Sequence, residues 1–209
     1  MATFRTVTIV DYAIGNIGSL VNMLDFLEVD CIVAESASSI AQAESLILPG
    51  VGAFDAAMRE LTNRGWIDAL NEAALQRRIP VLGVCLGMQI LGKSSEEGLK
   101  HGLGWIDANA IHLAPPAGSD LKVPHIGWAE VDIARRSPLF PDVRAKERFY
   151  FVHSYALRCA DSQIVAATIR FGQDVCCAVA QDNIFGVQFH PEKSHQFGMR
   201  LLKDFMRHV

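Results

Sequence analysis

The chain has 209 residues, 50% hydrophobic and 20% charged, with a formal charge of −4 and a pI near 6.0. That composition excludes a disordered chain, and the length suits one domain over residues 1–209. Mild acidity leaves no footprint for nucleic acid or an anionic membrane, and the first residues lack a signal-peptide pattern, so a cytoplasmic protein is expected.

Residues 6–10 (Thr-Val-Thr-Ile-Val) read as a first strand, ending at Asp11-Tyr12-Ala13-Ile14-Gly15-Asn16. Ile17, Leu20, Val21, Leu24 and Leu27 then fall on one helical face. Residues 31–34 form a short second strand and 46–48 a third, stopping at Pro49-Gly50-Val51-Gly52. Amphipathic stretches follow at 56–61 and 66–75, before an apolar strand that begins near Pro80. Strand–helix alternation of this kind predicts an α/β sheet with parallel strands, whose ligands sit at the strands' carboxyl ends. After Gly98 the texture changes. Strands are expected at 111–113, 130–133, 149–152, 164–169, 176–180 and 185–189, with no long helix between them, as an antiparallel or mixed extension. A last helix over 196–207 turns Phe197, Leu201, Leu202, Phe205 and Met206 inward. No repeat, linker or membrane-spanning apolar run interrupts the chain.

Three stretches carry chemistry. The apolar strand feeds into Gly83-x-Cys85-x-Gly87, the nucleophile-elbow pattern with cysteine for serine. A sharp strand-to-helix turn would lift the thiol out of the sheet, over a helix N-terminus that favours thiolate, with the Leu86 N–H facing a developing oxyanion. The plain alternative is a small buried hydrophobe. The other cysteines (31, 159, 176 and 177) have no disulfide or metal spacing and read as core filler. Next, Gln188-Phe189-His190-Pro191-Glu192 places a histidine at a strand end with a carboxylate two residues on. Extended backbone would put both side chains on one side, delivering a base with the group that orients it. The alternative there is a loop histidine and a solvated glutamate. Finally, Gly50 and Gly52 flank Val51, so that a peptide N–H can point into a site as a second oxyanion donor; taken alone, Pro-Gly after a strand is usually just a turn. His101, His112, His195 and His208 show no ligand spacing, so no metal site is expected, and no cofactor is expected either.

The elbow, the His190-Pro191-Glu192 segment and the Pro49–Gly52 turn, in this order, resemble the class I (triad-type) glutamine amidotransferases. Narrower features are Asp11-Tyr12-x-x-Gly15-Asn16, Pro124-His125-Ile126-Gly127-Trp128, Tyr150-Phe151-Val152-His153-Ser154-Tyr155 and Gln188-Phe189-His190-Pro191-Glu192-Lys193-Ser194. These resemble the glutaminase subunits of imidazole glycerol phosphate synthases, over nearly the whole chain; Ala13-Ile14 departs where a glycine is expected nearby. The resemblance implies a flavodoxin-like α/β fold with a mixed, mostly parallel sheet flanked by helices. It implies hydrolysis of L-glutamine to glutamate and ammonia, with Cys85 as nucleophile, His190 as base and acid, and Glu192 orienting it. Leu86 and Val51, with Gly50 and Gly52 around the latter, would form the oxyanion hole. Gln89, Glu97, His153, Ser154 and Tyr155 would hold the glutamine, although Glu97 also reads as a solvated loop charge. The partner implied is a (β/α)₈ cyclase subunit that consumes the ammonia, with Asn16, Trp128 and Lys193 on the docking face. Rival readings are a glutaminase serving another synthase, such as that of anthranilate or carbamoyl phosphate, and a non-catalytic module with a redox-sensing cysteine.

Overall fold

The computed structural model describes residues 6–12, 15–143 and 146–208, so the Ala13-Ile14 pair lies outside it. The first half alternates β1 (Val7–Val10), α1 (Ile17–Phe26), β2 (Cys31–Ala34), α2 (Ala37–Ala41), β3 (Ser45–Gly50), α3 (Phe54–Asn63) and α4 (Ile67–Asn71). α4 runs into a π-helical turn, Glu72–Gln76, before β4 (Val81–Cys85) and the short α5 (Leu86–Gln89). The second half is strand-rich: β5 (Ser94–Ser95), β6 (Ala108–His112), β7 (His125–Ile133), β8 (Glu147–His153), β9 (Tyr155–Cys159), β10 (Val165–Phe171), β11 (Gln173–Gln181) and β12 (Ile184–Val187). A 3₁₀ turn, Pro191–Lys193, leads into α6 (His195–His208).

Nine strands make one sheet in the order β2-β1-β3-β4-β12-β11-β10-β7-β8. From β2 to β12 every pairing is parallel, and from β12 to β8 every pairing is antiparallel. Sequence pattern accounts for that division. β1, β3, β4 and β12 are buried at every residue, as parallel strands covered on both faces must be. β7 instead alternates along most of its length, with one face toward solvent. Apolar cores lie on both sides of the sheet, one around Phe149, Phe189 and Phe205, the other around Phe54, Trp66 and Met88. The Phe149 and Phe189 rings stack at 3.8 Å.

Several expectations need correction. β3 does not stop before Pro49 but runs through Gly50, because Pro49 and Gly50 stay in parallel register with Val84 and Cys85. β5, β6 and β9 form a separate three-stranded sheet that no periodicity announced. β9 follows β8 after the single residue Ser154, so the chain switches sheets where sequence reads only one apolar run. Of the supposed core cysteines only Cys176 and Cys177 are buried; Cys31 and Cys159 are half-exposed. In α6, Leu201, Leu202, Phe205 and Met206 are buried and Phe197 only partly.

Candidate active site

The centre of the sheet places three strand ends side by side. β4 delivers Cys85, its neighbour β3 delivers the Gly50–Val51 peptide in direct register with it, and β12 on the other side leads to His190. Cys85 has φ 55° and ψ −111°, a conformation that side-chain-bearing residues rarely adopt. Two glycines make this turn possible. A Cβ on Gly83 would lie 2.5 Å from the Gly87 carbonyl oxygen, and one on Gly87 would lie 1.7 Å from that of Leu48. The helix after the elbow spans four residues, too short for a large dipole, so what it offers are its first unpaired N–H groups, including that of Leu86.

His190 Nδ1 and Glu192 Oε1 are 2.8 Å apart, both side chains almost fully buried. They meet through the 3₁₀ turn at Pro191–Lys193, not through the extended backbone expected from the sequence. The histidine's backbone is held on several sides. Its N–H donates to Tyr150 O at 3.0 Å, its carbonyl accepts from Ser194 Oγ at 2.6 Å, and Ser194 Oγ accepts in turn from Tyr150 N–H at 3.0 Å. Burial alone would lower the pKa of His190, but hydrogen bonds and charge from Cys85 and Glu192 outweigh it and raise it to about 9. Cys85 and Glu192 thus flank one imidazole that favours its protonated form. That suits an imidazolium able to pair with a thiolate.

A cleft of about 410 Å³ opens over Cys85. Of the expected oxyanion residues, Val51, Gly52 and Leu86 line it and Gly50 does not. Gly50 is required for a reason the sequence did not suggest, since a Cβ there would meet the Tyr12 hydroxyl at 2.5 Å. Positive φ belongs instead to Gly52, at 115°. Of the expected glutamine contacts, Gln89, Glu97, His153, Ser154 and Tyr155 all line the cleft. Their side chains are not equally available. His153 Nδ1–H donates to the Tyr155 carbonyl at 2.9 Å, and its Nε2 lies 3.3 Å from His125 Nδ1, so both ring nitrogens are engaged within the protein. Burial lowers the pKa of His153 to about 4, with neighbouring His125 and His190 acting in the same direction against the Tyr155 bond. Its side chain is therefore neutral at neutral pH where it lines the cleft. Glu97 is no free loop charge, because its Oε2 accepts from Phe54 N–H at 2.8 Å at the start of α3.

Of the three expected docking residues, Lys193 lies in the 191–193 turn and Trp128 beside His195, just after it. Lys193 stands at the cleft itself. Trp128, 39% exposed, stacks on His195 at 5.5 Å. Asn16 is exposed but also caps α1, accepting from Ser19 N–H at 3.4 Å. Sequence reading passed over Gln188, fully buried beside the sulfur, and His125, which braces His153. Gln188 had a usable signal, two residues before His190 and just after β12. Among the described residues no cluster of His, Cys, Asp or Glu is placed to hold a metal ion.

The model of the family described as glutamine amidotransferase class-I matches residues 8–209. The chain belongs to that family. Among relatives of this amidotransferase, an imidazole glycerol phosphate synthase subunit HisH 2 from Pseudomonas aeruginosa is 46% identical over 203 residues, covering 97% of this chain and 100% of the relative. A subunit of the same name from Methanococcus maripaludis is 43% identical, covering 96% and 98%. Among solved structures, a glutamine amidotransferase superposes with a TM-score of 0.73 at 17% identity, covering 97% of this chain and 99% of that one. A chain of PurLQS from Thermotoga maritima also gives 0.73, at 16% identity and coverages of 98% and 99%. At those identities the structural matches speak for the fold of the amidotransferase alone.

Proposed function

We propose that this chain is the glutaminase subunit of an imidazole glycerol phosphate synthase, acting as one cytoplasmic domain in a heterodimer with a (β/α)₈ cyclase subunit. The observation that carries the reading is 43–46% identity, over nearly the full length, to subunits of that name, together with a buried His190–Glu192 pair set against Cys85.

In the proposed reaction the Cys85 thiolate attacks the side-chain carboxamide carbon of L-glutamine. The tetrahedral oxyanion takes hydrogen bonds from the N–H groups of Leu86 and Val51. The carbon–nitrogen bond breaks as His190 gives its proton to the leaving nitrogen, releasing ammonia and a γ-glutamyl thioester on Cys85. Water, deprotonated by His190, then adds to the thioester, and glutamate leaves as sulfur departs. Glu192 keeps the imidazole oriented and supports its positive charge. Gln89 and Glu97, with the backbone of the 153–155 segment, hold the amino and carboxylate ends of the substrate.

Ammonia released into water would be protonated and lose its nucleophilicity, so the partner must receive it through a docked, sealed route. Exposed Ile126 and Trp128 on β7, close to Lys193 at the cleft, support a docking face there. There the cyclase would combine ammonia with a phosphorylated ribulosyl nucleotide, yielding imidazole glycerol phosphate and an aminoimidazole carboxamide ribonucleotide, the lyase half of a step in histidine biosynthesis. The Gly50–Val51 peptide is the candidate switch: turned inward it donates to the oxyanion, turned outward it does not. One lost donor costs on the order of 10²–10³ in rate. The test is glutamine turnover by the chain alone, with the cyclase subunit, and with both cyclase and nucleotide. Rates rising across the three by at least 10² support the reading. Equal rates would remove the switch, and absence of any complex at micromolar concentration would remove the partner.

A further inference from the structure

Behind the nucleophile lies a chain of two side-chain amides, of which the reaction as described uses only Gln89, and only toward the substrate. Gln188 is fully buried, and its Nε2 is 3.7 Å from Cys85 Sγ. Its Oε1 accepts from Gln89 Nε2 at 3.0 Å, and the same Gln89 Nε2 donates to the Tyr155 carbonyl at 3.1 Å. Amide orientation is ambiguous in isolation, since the oxygen and nitrogen ends have the same shape. Here the ambiguity resolves from one end. A backbone carbonyl can only accept, so the Tyr155 oxygen fixes the NH₂ group of Gln89 toward itself. The second hydrogen on that nitrogen then requires an acceptor, which makes the near atom of Gln188 its oxygen. The far atom of Gln188, the one facing sulfur, is therefore its NH₂ group.

We propose that Gln188 is a thiolate-stabilising residue whose N–H donates to Cys85, and that Gln89 acts as its positioning residue through a relay that starts at Tyr155. This rests on the glutaminase reading for its purpose but not for its chemistry. Gln89 spends both donors inside the relay, leaving Oε1 as the only polar atom it can offer a substrate ammonium. Binding of that ammonium at Oε1 would polarise the amide and strengthen its N–H bond to Gln188. Recognition at one end of the cleft is thereby tied to the charge on the sulfur. A donor to an ionised acceptor contributes more than one between neutral groups.

The experiment is the rate of Cys85 alkylation by iodoacetamide against pH, read by mass spectrometry of the Cys85 peptide so that the other four cysteines do not interfere. In Gln188→Leu, alkylation at pH 7 should slow by roughly tenfold, the scale of one hydrogen bond to a charged group, and recover at high pH. Gln188→Met, close in volume to glutamine and unable to donate, is the second variant and should slow it by a similar factor. Gln89→Met should shift the profile in the same direction, and the double variant Gln89→Met/Gln188→Leu should be no slower than Gln188→Leu alone, because Gln89 reaches sulfur only through Gln188. An unchanged profile in both Gln188 variants would overturn the donor, and additive effects in the double variant would overturn the relay. Alkylation needs no glutamine turnover. A shifted profile in a chain that hydrolyses no glutamine would keep this inference and reject the glutaminase reading.

Discussion

Cys85 is held in a conformation with positive φ that favours glycine, and residues kept in such regions store about 1–3 kcal/mol. The cost is accepted because the turn raises the sulfur over the ends of β3 and β12. Cys85→Gly should therefore be more stable than Cys85→Ala by about 1 kcal/mol, although both lack the thiol. Denaturant midpoints check this, and equal midpoints would mean an unstrained turn. Two histidines near the sulfur respond to pH with opposite sign. His190 has its pKa raised from 6.5 to about 9, so the stability it contributes is complete below 6.5 and lost as pH rises through 9. His153 is lowered to about 4, so the folded state binds fewer protons there than the unfolded chain, and stability falls as pH drops from 6.5 toward 4. These two groups favour a stability maximum between the two limbs. Melting temperature measured from pH 4.5 to 9.5 should show the alkaline limb flattened in Glu192→Gln and the acid limb retained. An alkaline limb unchanged in that variant would contradict the assignment of charge to the His190–Glu192 pair.

At the scale of elements, the cleft wall depends on a clasp between α3 and the 97–100 loop. Ala53, the residue before α3, provides no side-chain cap, and Glu97 supplies one from across the chain by accepting from Phe54 N–H. Asp55 answers from the first turn of α3, accepting from Leu99 N–H and Lys100 N–H, bonds that hold its carboxyl below the ordinary range. Gly98 lies between them, where a Cβ would sit 2.1 Å from Asp55 Oδ1. Glu97→Ala should cost about 1 kcal/mol, the scale of a lost helix cap, and both it and Gly98→Ala should raise KM for glutamine severalfold with kcat held. A fall in kcat with KM unchanged would show that the clasp serves the chemistry instead. None of this was legible in the sequence, because partners more than forty residues apart leave no local pattern. The elbow was legible because its requirements are local: Gly83 and Gly87 on either side of Cys85, after an apolar strand. His190 and Glu192 were legible as a pair, but the backbone that joins them was misjudged, since Pro191 starts a 3₁₀ turn as readily as it stiffens an extended link.

For the whole molecule, the site exists because β3, β4 and β12 are neighbours in one parallel array and end at one edge. Sequence order separates them widely, and the pairing of β12 with β4 buries the last strand of the chain at the centre of the sheet. The parallel half was readable from strand–helix alternation and continuous apolar runs. The three-stranded sheet was not, because β9 has only two buried residues and β5 only two residues in all. The proposed partner is supported by the names of the relatives and by exposed Ile126 and Trp128 on β7, whereas the chemistry turns on Cys85. Exposure alone would favour other thiols, since Cys31 and Cys159 are half-exposed and Cys85 is buried. The decisive measurement is a map, by mass spectrometry, of where a glutamine-analogue electrophile bonds to the chain, alone and with the proposed cyclase subunit. Label at Cys85 only, blocked by L-glutamine and lost in His190→Ala, is the result expected. Label spread over Cys31 and Cys159, or at Cys85 but indifferent to L-glutamine, would contradict the account.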